Sequence, residues 1–476
     1  MKTCPSCQAS VSDEAKFCVK CGFNIKKHEE ENTVAFCPEC GTKFSGGVFC
    51  PECGYNVSKD LERSDLNVSS LDTFDFAEMQ KEVGKQLADE LKAKVRADSD
   101  ISNGVLHKYY GNEAEIYVPD DIIEIGEKAF ELKKEITRVV LPEGLRKIGD
   151  SAFMGCTRLE EINLPSSLTI IGQMAFCCCD SLKSVRVPHG VTRLPLGAFS
   201  ACSQLESVIL PTSLEAIESS AFSGCQSLTE INLPNRITTI EGSLFNGCKS
   251  LKKLYLHNGL LRICNSAFCG CERLTTISIP SSVTSVGSNA FAKCTSLEAV
   301  SIFASLSKIE DNLFEHCKAL KSITLPATVS FIGNFAFRGC ESLERIDIPK
   351  NVKNIGLSVS AFWGCKSLKS INVDSGSEYA CSIDGCLYER LGDGTLSLVY
   401  YPEGRQDTEF NIPPKTRIIM SCAFIECDYI TSIRIHNDVE TMFKHSFKKC
   451  KNLKTLYIPR GKQYSDLPDD LQIIEY

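Results

Sequence analysis

A spacing of 23 residues runs through most of this chain and constrains its fold more than any other feature. Nine cysteines follow one another at that interval, and a phenylalanine stands three residues before each of them. A constant period of this length predicts a solenoid, in which each repeat forms one coil that packs against its two neighbours. The nine cysteines are Cys156, Cys179, Cys202, Cys225, Cys248, Cys271, Cys294, Cys317 and Cys340, and the register resumes with Cys365, Cys427 and Cys450.

The copy at residues 221–243 shows how one coil is organised. Its AFSGC segment predicts a short helical or turn segment that buries Phe222 and Cys225, its LTEINLP segment predicts a strand, and its NRITTIEG segment predicts the return with buried isoleucines. Equivalent positions of neighbouring coils then stack about 4.8 Å apart. Cysteine serves in such a column as a small buried apolar residue.

Three consecutive cysteines at 177–179 test this interpretation. Only Cys179 keeps the 23-residue register; Cys178 stands where other coils have glycine, and Cys177 stands at a variable position. We therefore interpret Cys179 as packing and the other two as surface or turn thiols. A metal or redox site at the triplet is the alternative, and the pair Cys381 and Cys386 is interpreted in the same way.

The spacing Phe-x-x-Cys-x-x-Leu-x-x-Ile-x-Leu-Pro resembles the BspA-like, treponemal-type leucine-rich repeats over about residues 105–460. This resemblance implies a repeat solenoid with a curved parallel β-sheet and short helical or turn segments, used for protein recognition, and many members of the family are exported adhesins. We expect the leucine-rich repeat solenoid at 105–463. The period breaks between Cys365 and Cys427, where a β-hairpin insertion is expected at about 374–411, and a C-terminal tail at 464–476 is expected to cover the last coil.

The first eight cysteines form two copies of a different pattern, in which two CxxC pairs are separated by nine or ten residues. Four thiolates at this spacing complete the tetrahedral site that zinc prefers and leave no position open for a substrate. The segments resemble zinc ribbons, so we expect two structural Zn²⁺ ions, one in a ribbon at 1–26 and one in a ribbon at 34–57. A thioredoxin-like CxxC and a disulfide pair are the disfavoured alternatives. The expected ligands are Cys4, Cys7, Cys18 and Cys21 in the first ribbon, and Cys37, Cys40, Cys50 and Cys53 in the second.

A linker at 58–104 follows, with an amphipathic helix expected at about 71–97. Apolar residues recur there at intervals of three or four, acidic residues cluster at the start and basic residues at the end. The helix either docks on the first repeat or forms a seam for self-association. The apolar stripe consists of Phe76, Met79, Val83, Leu87, Leu91 and Val95.

Charge and the N-terminal sequence narrow the class of partner and the compartment. The net charge of the chain is −8, and residues 1–60 reach −5 when eight thiolates and two Zn²⁺ ions are included, which argues against a nucleic-acid partner. No secretory h-region and no apolar run of transmembrane length occur, which predicts a cytoplasmic chain with reduced thiols. Export to the cell surface by a non-classical route is the alternative. Oligomeric state is not predicted.

Strand alternation indicates which side chains would meet a partner. Residues that flank each inward isoleucine or valine point outward and form the sheet face that repeat proteins use for binding. The face is polar and mixed in charge, which suggests a protein or peptide ligand, and an ordinary solvated sheet is the alternative. The candidate residues are Glu161, Asn163, Arg186, Glu230, Asn232, Lys253, Tyr255, Arg345, Asp347 and Arg434.

No P-loop, dinucleotide-binding, GxSxG or kinase motif occurs, and the seven histidines are scattered. We therefore interpret the chain as a non-enzymatic scaffold for protein–protein interactions. The alternatives are an adhesin of the BspA-like type, a nucleic-acid regulator that uses its zinc ribbons, and an unrecognised enzyme with a pocket near Asp384 and Tyr388 in the insertion.

Overall fold

The computed structural model describes residues 85–355, 359–443, 445–464, 467 and 471–476, together with the backbone of four short strands before residue 46. The chain divides into two compact units, Met1–Glu82 and Val83–Tyr476.

The first unit contains two short antiparallel strand pairs. The strands are β1 (Lys2–Thr3), β2 (Ser10–Val11), β3 (Val34–Phe36) and β4 (Lys43–Ser45), and β1 pairs with β2 while β3 pairs with β4. Each pair brackets the first CxxC of one predicted ribbon in the sequence, since β1 ends one residue before Cys4 and β3 ends one residue before Cys37.

The second unit is a parallel β-solenoid in which most coils contribute one short strand to each of two faces, while the two coils between residues 217 and 263 have a named strand on one face only. Strands of successive coils pair in parallel, and Val185 stands opposite Val208, the residue 23 positions later. We call the phenylalanine, the cysteine and the leucine that recur every 23 residues at three-residue intervals, as in Phe153, Cys156 and Leu159, the ladder residues. The sheet that follows the ladder leucine is the front sheet. Its strands are β7 (Glu115–Tyr117), β9 (Arg138–Val140), β11 (Glu161–Ile162), β13 (Ser184–Arg186), β15 (Ser207–Ile209), β19 (Thr276–Ile279), β21 (Ala299–Ile302), β23 (Ser322–Ile323), β25 (Arg345–Ile348), β27 (Ser370–Val373), β31 (Glu409–Asn411), β33 (Ser432–Arg434), β35 (Thr455–Ile458) and β36 (Gln472–Glu475).

The back sheet is formed by the return segments, and most of its strands are two residues long. These are β5 (Ser99–Ser102), β6 (Val105–Tyr109), β8 (Glu124–Ile125), β10 (Lys147–Ile148), β12 (Ile170–Ile171), β14 (Arg193–Leu194), β16 (Ala216–Ile217), β17 (Thr239–Ile240), β18 (Arg262–Ile263), β20 (Ser285–Val286), β22 (Lys308–Ile309), β24 (Phe331–Ile332), β26 (Asn354–Ile355), β30 (Leu396–Tyr400), β32 (Thr416–Ile419) and β34 (Thr441–Met442).

The Ala-Phe-x-x-Cys segments line a third side of the coils, which we call the turn edge. Their phenylalanine rings stack from Phe130 to Phe362 with neighbouring centroids 5.0 to 6.0 Å apart. The residue before the ladder cysteine adopts a left-handed conformation, with φ 74° at Gly155 and φ 58° at Cys178. A tight reversal at this point turns the chain from the phenylalanine toward the front sheet, which explains why glycine is frequent there.

The N-terminal end of the solenoid is covered by helix α1 (Lys85–Ala97) and by the antiparallel pair of β5 and β6. Val95 is buried in the core, and Lys92 forms an ion pair with Asp120 of the first coil at 2.8 Å. The helix therefore docks on the first repeat through its last turns, while Leu87 of the expected stripe is half-exposed. The first part of the expected helix, 71–84, lies outside the described residues. The strands also begin at Ser99, before the expected solenoid start at 105, because β5 folds back onto β6.

The insertion contains three antiparallel strands rather than a two-stranded hairpin: β28 (Ala380–Ile383), β29 (Cys386–Arg390) and β30. Strand β30 also pairs in parallel with β32 and so continues the back sheet. The insertion contributes buried side chains to two separate hydrophobic clusters, Leu387 and Tyr400 to one and Tyr388 and Leu398 to the other. The insertion therefore joins two cores.

In regular coils, a backbone carbonyl and the ladder cysteine thiol of the next coil each form a hydrogen bond to the turn that carries the phenylalanine. At the insertion, two side chains form these hydrogen bonds instead. In regular coils the residue before the ladder cysteine donates its N–H to the next coil, as Gly339 does to the Trp363 carbonyl at 2.8 Å. At the insertion, the Gly364 N–H donates to Glu403 Oε1 at 2.8 Å, and the Tyr400 hydroxyl donates to the Phe362 carbonyl at 3.0 Å. Glu403 and Tyr400 thus bond to the coil that the insertion interrupts.

At the C-terminal end, β36 pairs in parallel with β35, and Tyr476 donates its hydroxyl to the Ile435 carbonyl at 2.9 Å. The tail expected at 464–476 therefore adds a strand to the front sheet within the part that is described. A 3₁₀-helix at Val359–Phe362 carries the last phenylalanine before the insertion.

Candidate functional site

The front face of the coils carries the side chains that strand alternation predicted as partner-binding, although Glu230, Asn232, Lys253 and Tyr255 lie in two coils without a named front strand. They form two outward columns on either side of the buried isoleucines and valines. Glu161, Arg186, Glu230, Asn232, Lys253, Tyr255, Arg345, Asp347 and Arg434 are exposed, and Asn163 is half-buried.

Some of these side chains are engaged within the chain. Asn163 accepts a hydrogen bond from the Leu141 N–H at 2.8 Å and donates one to the Leu141 carbonyl at 3.0 Å, so its amide links two coils. The guanidinium of Arg434 lies 4.6 Å from the ring centroid of Tyr457 and 4.4 Å from that of Tyr476. A cation over two aromatic rings is held by them. Asn163 and Arg434 therefore serve the packing of their own coils.

The residues predicted from the sequence as partner-binding did not include two exposed apolar side chains on the same face. Ile209 stands in the outward column of β15 with 41% of its surface exposed, and Phe303 follows β21 with 68% exposed. Phe303 replaces the proline that ends this strand in most coils, and Ile209 replaces a polar residue. Comparing each coil with the repeat consensus would therefore have identified both residues from the sequence. Together with Tyr255, which is 57% exposed, they place three large side chains along the middle coils.

Charge on the front sheet is concentrated toward its two ends. Arg138 pairs with Glu161 at 3.5 Å near one end, and Arg345 pairs with Asp347 at 3.2 Å toward the other. Between residues 207 and 324 the outward columns contain serine, threonine, asparagine and alanine, with Glu230 as the only acidic residue and one lysine. Directly before the first column, Glu298 and Lys321 form an exposed ion pair at 3.1 Å. The two columns themselves therefore carry few charges in the middle of the face, where they bear the exposed apolar groups.

The predicted zinc ligands, Cys4 to Cys53, lie outside the described residues. The donor set fits the metal, because two CxxC pairs at ribbon spacing supply four thiolates for each ion. The short antiparallel pairs β1 with β2 and β3 with β4 flank the first CxxC of each predicted ribbon in the sequence.

The ladder thiols are buried and make a hydrogen bond that the sequence did not reveal. From Cys156 to Cys365, each Sγ donates to the carbonyl oxygen of the ladder phenylalanine one coil earlier, at 3.1 to 3.3 Å. Burial raises the pKa of the Cys248 thiol to about 12. All 19 cysteines of the described residues are free. The column therefore holds neutral thiols that pack and donate, which distinguishes cysteine from alanine at this position.

The insertion offers little support for a catalytic site at its two candidate residues. Tyr388 is fully buried in the second hydrophobic cluster, and Asp384 lies on the exposed turn between β28 and β29. Among the residues that the structure describes, no group of three His, Cys, Asp or Glu side chains is arranged to hold a metal ion. No helix in the described part of the chain is both long and apolar enough to cross a membrane.

Comparison with solved structures gives similar solenoids from bacteria. A leucine-rich repeat protein from Bacteroides ovatus is 25% identical, with a TM-score of 0.50, and the match covers 78% of this chain and 87% of that one. A T. pallidum leucine-rich repeat protein is 28% identical over 42% of this chain and 86% of its own, with a TM-score of 0.34. A leucine-rich cell surface protein from Faecalibacterium prausnitzii is 22% identical over 78% of this chain and 90% of its own, with a TM-score of 0.35. No curated protein matches the chain.

Two family descriptions match the sequence. A zinc-ribbon domain matches residues 3–25, the segment of the first predicted ribbon. The BspA-type leucine-rich repeat region matches residues 101–212, 192–321, 284–382 and 404–467, which together span more than half of the chain. With 23-residue coils, two parallel sheets and a buried Phe-x-x-Cys ladder, the chain belongs to the BspA-type leucine-rich repeat family.

Proposed function

We propose that this chain is a non-enzymatic scaffold that binds a protein or peptide along the middle of its front sheet. The observation that carries the proposal is the row of exposed Ile209, Tyr255 and Phe303 on an otherwise small, polar and weakly charged face. Aromatic side chains surrounded by polar groups are typical of the contacts that contribute most to protein–protein binding. The paired charges toward both ends of the face would then limit where the ligand lies.

The N-terminal ribbons are proposed as two structural zinc modules that dock on a second partner or stabilise the chain. Four thiolates per ion would leave no open coordination position, so a catalytic role for zinc is not part of the proposal. A cytoplasmic location is proposed from the cysteine content, with the cell surface, where an adhesin would act, as the alternative. Cell fractionation followed by immunodetection of the native protein distinguishes the two.

The binding face is tested by comparing the proteins that the full chain and its variants retain from native lysate. A triple variant with Ile209→Ser, Tyr255→Ser and Phe303→Ser removes the apolar row while leaving the buried positions intact. We expect it to lose the specific partners of the wild type.

The matched control changes three exposed apolar residues on the back side of the coils to serine: Ile170 in β12, and Ile123 and Leu261, which directly precede β8 and β18. We expect this control to retain the partners. If the front and back variants retain the same proteins, binding does not use the front sheet and the proposal is wrong.

A further inference from the structure

The turn edge carries one pair of thiols that the solenoid does not use for packing. Cys177 and Cys178 are half-buried, and their sulfur atoms lie 3.6 Å apart, while Cys179 alone enters the core. Cys269 occupies the same place as Cys177 in a later coil, but glycine follows it there. Two neighbouring thiols therefore occur together at this turn of the solenoid.

The distance between the two sulfurs suits a shared metal ion. A thiolate–metal bond of about 2.3 Å places two sulfurs of a tetrahedral or trigonal site about 3.8 to 4.0 Å apart. The observed 3.6 Å needs an adjustment of only a few tenths of an ångström. A disulfide fits less well, because Cα atoms of adjacent residues are about 3.8 Å apart and most disulfides join Cα atoms separated by about 4.4 to 6.8 Å.

A third sulfur stands at the equivalent position of the preceding coil. Met154 occupies the place of Cys177 one turn earlier, and the two turns are in register because the Gly155 N–H donates to the Cys177 carbonyl at 2.8 Å. The side chain of Met154 is half-buried, as are both thiols. Met154 therefore stands at the matching position of the coil that packs directly against the coil of the thiol pair.

The donor set selects the class of metal. Zinc requires four ligands, and the described residues provide no group of three His, Cys, Asp or Glu side chains at any one place. Two thiolates and one thioether are soft ligands, which favour monovalent copper. We propose that Cys177, Cys178 and Met154 bind one Cu(I) ion at the turn edge.

Binding exchanges protons for the metal. Burial raises the pKa of the Cys177 thiol to about 12, with further increases from the neighbouring Cys178 and from Asp180, so the metal-free thiol is protonated. One Cu(I) ion replaces the protons of two thiols, the two protons pass to the solvent, and the thioether binds as a neutral ligand. Affinity therefore rises with pH.

The test is a titration of the full zinc-loaded chain with Cu(I) in the absence of oxygen, against a colorimetric chelator that competes for the ion. The double variant Cys177→Ser with Cys178→Gly introduces residues that stand at these positions in other coils, as at Ser223 and Gly224. We expect it to bind one copper ion fewer per chain than the wild type. Copper taken up by the N-terminal cysteines is common to both proteins and cancels in the difference.

Cys269→Ser is the matched control, since it removes a single half-buried thiol from the same position of another coil. We expect it to bind as much copper as the wild type. Met154→Leu is expected to keep the stoichiometry and to weaken the affinity about tenfold or more. Equal stoichiometry in the double variant and the wild type overturns the site, and unchanged affinity in Met154→Leu overturns the role of the thioether. Circular dichroism establishes that each variant is folded.

Discussion

Replacing Glu403 by glutamine tests how the insertion is joined to the solenoid. The carboxyl group is 5% exposed, its Oε1 accepts the Gly364 N–H, and its Oε2 is buried without a partner. Burial raises its pKa from the ordinary 4.5 to about 7, and the negative charge of Glu426 adds to the increase. The folded protein therefore binds a proton at Glu403 that the unfolded chain releases at lower pH.

The magnitude follows from this difference in pKa. One pKa unit corresponds to about 1.4 kcal/mol, so the increase from 4.5 to about 7 corresponds to about 3 kcal/mol. Because the folded-state pKa is the higher one, the free energy of unfolding of the wild type falls as pH rises from 4.5 through 7, and this loss is complete above that range. Glutamine keeps an oxygen for the Gly364 N–H and does not titrate. The stability of Glu403→Gln relative to the wild type should therefore increase by about 2–3 kcal/mol between pH 5 and pH 8.

The assay is urea unfolding of the full chain at pH 5, 6, 7 and 8, followed by far-ultraviolet circular dichroism, with the free energy compared at each pH. Glu426→Gln is the control, because Glu426 stands at the same position one coil later and its pKa is shifted the other way. Burial alone would raise it, but hydrogen bonds from Lys449 and Trp363 outweigh burial and lower the pKa of Glu426. Because the Glu426 charge supplies only part of the increase in the Glu403 pKa and burial is the larger cause, Glu426→Gln should change the pH dependence of stability in the same direction but by less than Glu403→Gln does. A Glu403→Gln difference that is constant from pH 5 to pH 8 would refute the reasoning.

Three further outcomes test the coil and the ribbons. Gly172→Ala should lower the free energy of unfolding by about 1–3 kcal/mol in the same urea assay, because the added Cβ would overlap the backbone of the preceding coil. Gly242→Ala is the control and should be nearly neutral, because its Cβ would have no neighbour closer than 3.6 Å. Phe222→Ala should cost about 3–5 kcal/mol by leaving a cavity in the ring stack, and the exposed Phe303→Ala should change stability by less than about 0.5 kcal/mol. Elemental analysis should find two zinc ions per full chain and none after deletion of residues 1–57; a deletion protein that keeps its zinc would contradict the assignment of the ligands.

The 23-residue period was sufficient to predict the solenoid from the sequence. A phenylalanine and a cysteine repeated every 23 residues can be buried together only if each coil stacks on the next in register, and the same period determines which strand residues point outward. The family and the burial of Cys179 but not of Cys177 follow from that rule. Departures from the repeat consensus also indicate the exposed apolar residues, since Ile209 and Phe303 replace the usual residue types at outward positions.

Contacts at the insertion and at the C-terminal end, where the 23-residue period is interrupted, could be identified only from the tertiary structure. Arg434 had the spacing of a partner-binding residue, but the last strand brings Tyr476 beside it, and the length of chain before that strand departs from 23 residues. Glu403 and Tyr400 bond to the interrupted coil because the insertion returns there, and no local pattern indicates that return. The sequence by itself determined the coil, its buried columns and its two faces, because a repeat must satisfy the same packing at every turn. Only the tertiary structure decided which polar side chains complete the fold at its interruptions and ends, because those partners are brought together by chain segments that share no period.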